Sequence, residues 1–200
     1  MQRNAVLSVA VAGLLVLAGC SSVMGPGGSS GSGTVNFYVS DQPGAIEDFE
    51  HLNVTVDAVT LVAGNGNKTT YDANGTYDLT ELRGSNASLV ATFDVPSGNY
   101  TKVFLHVAET EGTLKEGSNT TVKLPSERLQ LNTNFTVGAG EAVDFVYDVQ
   151  VTKAGNSGKY VLRPVVSESG TDVEIDEVDA RADRGETGQQ DADQNGLVAP

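Results

Sequence analysis

The sequence predicts an all-β fold, an antiparallel β-sandwich, and three observations carry that prediction. Apolar residues recur with a period of two through the middle of the chain, turn-forming residues interrupt the runs at short intervals, and no segment after the N-terminal stretch has convincing helical length. A period of two sends alternate side chains to opposite faces, so each strand can bury one face and wet the other.

Residues 35–39 form the first predicted strand. Leu52, Val54, Val56 and Ala58 then alternate with Asn53, Thr55 and Asp57 before the apolar phase switches to Val59 and Leu61. Such a slip predicts a β-bulge or a strand that crosses between sheets. Residues 71–79, 89–95, 100–107, 120–124 and 135–137 continue the series. The clearest strand places Val143, Phe145, Tyr147, Val149 and Val151 opposite Asp144, Asp148, Gln150 and Thr152, and residues 160–166 make the last. Turns are expected at Asn74-Gly75, Ser97-Gly98, Gly117-Ser118, Gly138-Ala139-Gly140 and Gly155-Asn156. Pro164 cannot donate to a ladder and marks an edge strand or a strand end. Asp41 and Pro43 read as caps of the turn leaving the first strand, the aspartate accepting backbone N–H groups.

Four regions follow from composition. Residues 1–20 have the layout of a secretory signal peptide, with Arg3, an apolar run over residues 5–18 and small residues before Cys20. That run is shorter than the roughly 20 apolar residues a spanning helix needs. Cleavage before Cys20, the only cysteine, would leave it as the lipidated N-terminus, tethering the protein to the outer side of a cell membrane. Residues 21–33 are a Gly/Ser-rich linker, 34–169 the sandwich domain, and 170–200 an acidic tail read as largely disordered. With its one thiol committed to lipid, the domain has no disulfide framework and must hold by packing.

Charge narrows the partners. With 26 Asp and Glu against 12 Lys and Arg, the net charge of −14 disfavours nucleic acid and anionic lipid surfaces and suits concentrated salt, pointing to a halophilic source. The expected partners are the membrane, through the lipid, and cell-surface glycans or envelope proteins. A second feature is an excess of Asn-x-Ser/Thr acceptor sites for N-glycosylation, at Asn53, Asn67, Asn74, Asn86, Asn99, Asn119 and Asn134. Asn53, Asn119 and Asn134 fall on the polar phase of strands, whereas Asn67 and Asn74 lie in turn-like segments.

No catalytic motif emerges. His51 and His106 are the only near-neutral bases, and neither stands in a nucleophile context. No enzyme activity and no cofactor are expected. The segment Asp191-Ala192-Asp193-Gln194-Asn195-Gly196 matches the start of a calcium loop, with Asp191, Asp193 and Asn195 as weak ligands, but lacks the bidentate glutamate at the loop's end. Asp72-Ala73-Asn74-Gly75 has its glycine too early for that loop and reads as a hairpin turn. For sugar stacking the chain lacks tryptophan, leaving Tyr38, Tyr71 and Tyr77 as the tyrosines best placed for exposure, with Tyr147 and Tyr160 in the core phase.

The order of several segments resembles the lipoprotein domain family known as domain of unknown function 4382. These are Ser40-Asp41-Gln42-Pro43, Leu79-Thr80-Glu81-Leu82, Pro96-Ser97-Gly98-Asn99-Tyr100-Thr101, Leu124-Pro125-Ser126 with Leu129-Gln130-Leu131, and Tyr160-Val161-Leu162-Arg163-Pro164-Val165-Val166. The resemblance implies a transthyretin-like, immunoglobulin-like or carbohydrate-binding-like sandwich in surface proteins, here of haloarchaeal type. It implies no activity and no site residues. The expected function is therefore a non-enzymatic, lipid-anchored cell-surface module that binds or organises extracellular material, the alternative being a glycan-binding or enzyme accessory module.

Overall fold

The computed structural model describes residues 31–182, apart from Glu127 and the side chain of Asn156. Eleven strands are joined by turns, some of them short 3-10 segments, and no α-helix occurs among the described residues. In chain order they are β1 (Ser32–Asp41), β2 (Phe49–Ala63), β3 (Lys68–Asp78), β4 (Asn86–Pro96), β5 (Gly98–Leu114), β6 (Asn119–Thr120), β7 (Val122–Lys123), β8 (Arg128–Val137), β9 (Ala142–Lys153), β10 (Tyr160–Pro164) and β11 (Asp176–Glu177). One sheet has the order β11-β4-β1-β9-β10-β7. In the other, β2 lies between β3 and β5, and both β6 and β8 pair with β5. The two sheets pack face to face as the all-β sandwich the alternation predicts.

Pairing is antiparallel throughout the second sheet, but β1 runs parallel to β9, as do β10 to β7 and β11 to β4. The cause is that β1 leaves its sheet to begin β2 in the other. Its in-sheet neighbours are consequently supplied by later segments, with no hairpin to set their direction.

Inward residues of both sheets form one core. Phe37 stacks on Phe145 at 5.7 Å, Phe145 meets Phe135 at 4.7 Å, and Phe135 stacks on Tyr100 at 5.2 Å between ring centroids. Burying each such side chain contributes about 1.5–3 kcal/mol, which suits a domain held by packing alone. The phase switch in β2 is a bulge at Asp57, where register slips against both β3 and β5 while the strand stays in its sheet.

Three expectations need correction. Asn74-Gly75 lies inside β3, and the hairpin turn is at residues 64–67, where Gly66 has φ +88°. Gly75 is glycine for packing, since a Cβ there would lie 2.5 Å from the Tyr77 hydroxyl oxygen. The aspartate cap also fails, because both carboxylate oxygens of buried Asp41 lack a hydrogen-bond partner. Finally, the folded part does not stop at residue 169.

Residues 170–182 form a strap along the sandwich. Gly170 exchanges both backbone hydrogen bonds with Val146, and Val173 and Ile175 pack on Tyr38, Ala87 and Val146 on the outer face of the first sheet. β11 then pairs with β4, after which the carbonyl of Ala180 accepts from Asp78 N–H and Ala182 N–H donates to Thr76 on β3. The strap thus joins an edge of one sheet to an edge of the other. Apolar Val173 and Ile175 alternate with Asp172, Glu174 and Asp176, a half-buried pattern that the abundance of acids hides.

Candidate functional site

Strand direction gives the molecule two distinct ends. β1 starts beside the β4–β5 and β8–β9 turns, where Ser97 N–H donates to the Gly31 carbonyl and Gly140 N–H to the Ser32 carbonyl, both at 2.8 Å. The chain before β1 therefore enters at that end, and Ser32 and Gly33, expected in the linker, already pair with Pro96 and Val95. At the far end lie the β1–β2 connection with its 3-10 turn (Ala45–Asp48), the segment after β3, and the turns after β5 and β9.

The far end carries the polar clusters. Asp48 Oδ2 accepts from Lys153 Nζ at 2.7 Å and from the Tyr160 hydroxyl at 2.8 Å, which holds the Asp48 carboxyl below its usual range. These groups line an open groove of about 500 Å³ with Lys115 and Glu116. A second open groove of about 730 Å³ runs along the far half of β5, bordered by Asn53, Glu109, Glu111, Asn119 and Lys123.

Among the described residues, His51 and Asp78 form the one His–carboxylate pair. His51 Nδ1 lies 2.7 Å from Asp78 Oδ2, while Asp78 Oδ1 accepts from Leu52 N–H, Thr80 N–H and the Thr80 hydroxyl. Burial works against the Asp78 carboxylate, but the His51, Leu52 and Thr80 hydrogen bonds outweigh it and hold the group below its usual range. The hydrogen bond with Asp78 raises the imidazole of His51. Asp78 thereby ties β2 to the turn after β3. Among the described residues no hydroxyl or thiol is hydrogen-bonded to His51 Nε2.

Two further acids are buried, and sequence reasoning missed both. Asp148 accepts from the Ser40 hydroxyl at 2.6 Å and its backbone N–H donates to Ser169 Oγ at 2.9 Å. Burial raises its carboxyl to about 6, Ser40 opposing and Glu168 adding to the rise. Asp41, on the inward face at the end of β1, is raised to about 8 by burial and then by Asp148, with Arg83 pulling the other way. Their side chains face opposite sides of the sheet, so they do not converge on a ligand. Asp148 sits in the polar phase of β9 and reads as solvated until the strap covers it.

The remaining predicted residues fall as follows. Cys20, Asp191, Asp193 and Asn195 lie outside the described residues. All seven acceptor asparagines stand at the surface, Asn53 and Asn86 half-buried and the others exposed. The Asn86 amide donates to the Glu81 carbonyl at 2.9 Å. Tyr38 and Tyr77, expected exposed, are buried, and Tyr71 is half-buried against Phe93 with ring centroids 4.3 Å apart. Tyr147 and Tyr160 are in the core as expected. His106 is half-buried on the outer face of the second sheet, its Nε2 2.9 Å from the Thr60 hydroxyl. No group of three His, Cys, Asp or Glu side chains among the described residues is arranged to hold a metal ion.

None of the curated proteins compared with the sequence matches it. An NMR structure of a protein from Eubacterium rectale is similar over 70% of this chain and 94% of that one, at 13% identity and a TM-score of 0.21. Residues 32–164 match the family described as "Domain of unknown function (DUF4382)". The segments from Ser40-Asp41-Gln42-Pro43 to Tyr160–Pro164 all lie within that match, and the chain belongs to this family.

Proposed function

We propose that this protein is a non-enzymatic, lipid-anchored cell-surface module that presents its sandwich to the extracellular side. The single observation that carries the reading is the polarity of the domain: the linker joins at one end, and the Asp48 groove, the β5 groove and His51 lie toward the other. A tether from Cys20 through the Gly/Ser-rich linker would turn those surfaces away from the membrane. Surface acceptor asparagines suit glycans in that location, and the acid excess suits the concentrated salt of a halophilic archaeal envelope.

The test uses the single cysteine. Cys20→Ser should move the protein from the membrane fraction to the soluble one. A cysteine introduced at exposed Glu116, in the far-end turn, should react with a membrane-impermeant maleimide on intact cells. A Cys20→Ser protein that stays in the membrane pellet, or labelling that requires lysis, overturns the reading.

A further inference from the structure

The half of the second sheet's outer face nearer the β4–β5 turn differs in charge from the rest of the molecule, the acids Asp57, Glu109 and Glu111 of that face lying toward the other end. In a chain of net charge −14, Lys68 of β3, Lys102 of β5 and Arg128 of β8 share this face with His106. Register fixes their order. Lys68 and Lys102 lie in one row across the sheet with Val62 between them. Thr60, Phe104 and Gln130 form the next row, and His106 with Arg128 the third, where Asp72 marks the margin. Among the described residues none of the three cations has a carboxylate at ion-pair distance.

Their positions are held. Phe104 is only 6% exposed although it is on the solvent side of its strand, because two cationic side chains cover it. Arg128 Cζ lies 4.8 Å and Lys68 Nζ 5.9 Å from the ring centroid. Attraction to the ring restrains both chains, so less rotamer freedom is lost when an anion arrives. Hydroxyl and amide groups fill the space beside them: Thr60 Oγ1 is 2.7 Å from Thr70 Oγ1, and Gln130 Nε2 donates to Asn132 Oδ1 at 3.1 Å. The acceptor asparagines Asn67, Asn74, Asn99 and Asn134 surround these rows, and none sits within them.

We propose that this face binds an acidic polysaccharide, with its carboxylate or sulfate groups on Lys68, Lys102 and Arg128 and its hydroxyls on the exposed Thr70 and Gln130. Charge spacing favours that class over nucleic acid. Lys68 and Lys102 are two strands apart, about 10 Å between backbones, whereas duplex DNA carries a charge every 1.7 Å or so. A polymer with charges spaced by hydroxyl-bearing rings matches a face on which the row of Thr70 and Gln130 separates Arg128 from Lys68 and Lys102. The proposal names a partner for the surface module and rests on its extracellular address.

The experiment measures binding of the full chain carrying Cys20→Ser to polygalacturonate, dextran sulfate, neutral dextran and duplex DNA. Binding to either acidic polysaccharide should be at least tenfold tighter than to dextran and should weaken as salt rises. The triple variant Lys68→Gln, Lys102→Gln, Arg128→Gln should lose at least tenfold, while Lys159→Gln with Arg163→Gln, off this face, should bind as wild type. Should the triple variant melt early, the exposed single variant Lys102→Gln carries the test, with an expected loss of about threefold. Wild-type binding by the substituted protein, equal or tighter binding of DNA, or no binding of either acidic polymer overturns the proposal. So does binding that appears only after truncation following Ala182, since the face would then be taken by the chain's own acidic residues. Surface labelling at Glu116→Cys is independent of all these outcomes, so failure here leaves the display reading standing, and failed labelling strikes that reading alone.

Discussion

Asp41 sets a pH dependence by itself. Its carboxyl is held at about 8 in the fold, chiefly by burial, against an ordinary value of 3.8. A group raised in this way contributes fully below about pH 4, and its contribution is lost as pH rises toward 8. Asp148, raised to about 6, adds the same sense over the lower part of that window. Urea denaturation at fixed high salt should therefore show stability falling from pH 6 to pH 8, with Asp41 and the raised imidazole of His51 both contributing. Asp41→Asn should lessen that fall and raise stability at pH 8 by on the order of 2 kcal/mol. An unchanged slope in the variant would remove the buried-acid account. The sequence showed Asp41 at a strand end, where aspartate ordinarily caps a turn; its inward direction follows from pairing with β9, a partner invisible to local patterns.

Among the elements, the strap has the most to reveal. Local alternation was enough to read β1, β2, β4, β5 and β9, and the bulge at Asp57 was legible as a phase switch. Residues 170–182 obeyed the same rule with Val173 and Ile175, but an acid at nearly every intervening position resembled a solvated tail. Ile175→Ala should cost about 1–2 kcal/mol, measured by denaturant midpoint, as befits a half-buried side chain. A chain ended at Ser169 should lose several times that, and it should self-associate at micromolar concentration because the β3 and β4 edges lose their cover. A truncated chain that melts with the wild type and stays monomeric by light scattering would show that the strap does not support the sandwich. The candidate surfaces were less legible than the strands: the rows around Phe104 need the register of four strands, which no single segment contains.

For the molecule as a whole, net charge and core pull in opposite directions. Surface carboxylates repel one another in dilute buffer, and molar salt shortens the screening length to about 3 Å, so self-repulsion fades. The thermal midpoint at pH 7 should climb by roughly 5 °C or more between about 0.1 M and 2 M KCl, since a gain of about 1 kcal/mol moves a domain of this size by several degrees. A flat response would overturn the reading that the surface charge suits concentrated salt. Buried Asp41 lies beyond the reach of mobile ions, so its pH effect should persist at every salt concentration.

The parallel pairing of β1 with β9 also governs when the protein can become itself. Asn36 and Asp144, joined across those strands by a side-chain bond of 2.8 Å, are 108 residues apart in the chain, and the strap that joins the two sheets comes later still. Contacts so distant in sequence are slow to form. A chain threaded N-terminus first through a membrane channel would hold its earliest strand without a parallel partner until most of the domain had emerged. Completion would thereby be deferred to the far side, with residues 170–182 closing the seam only after β10 has emerged.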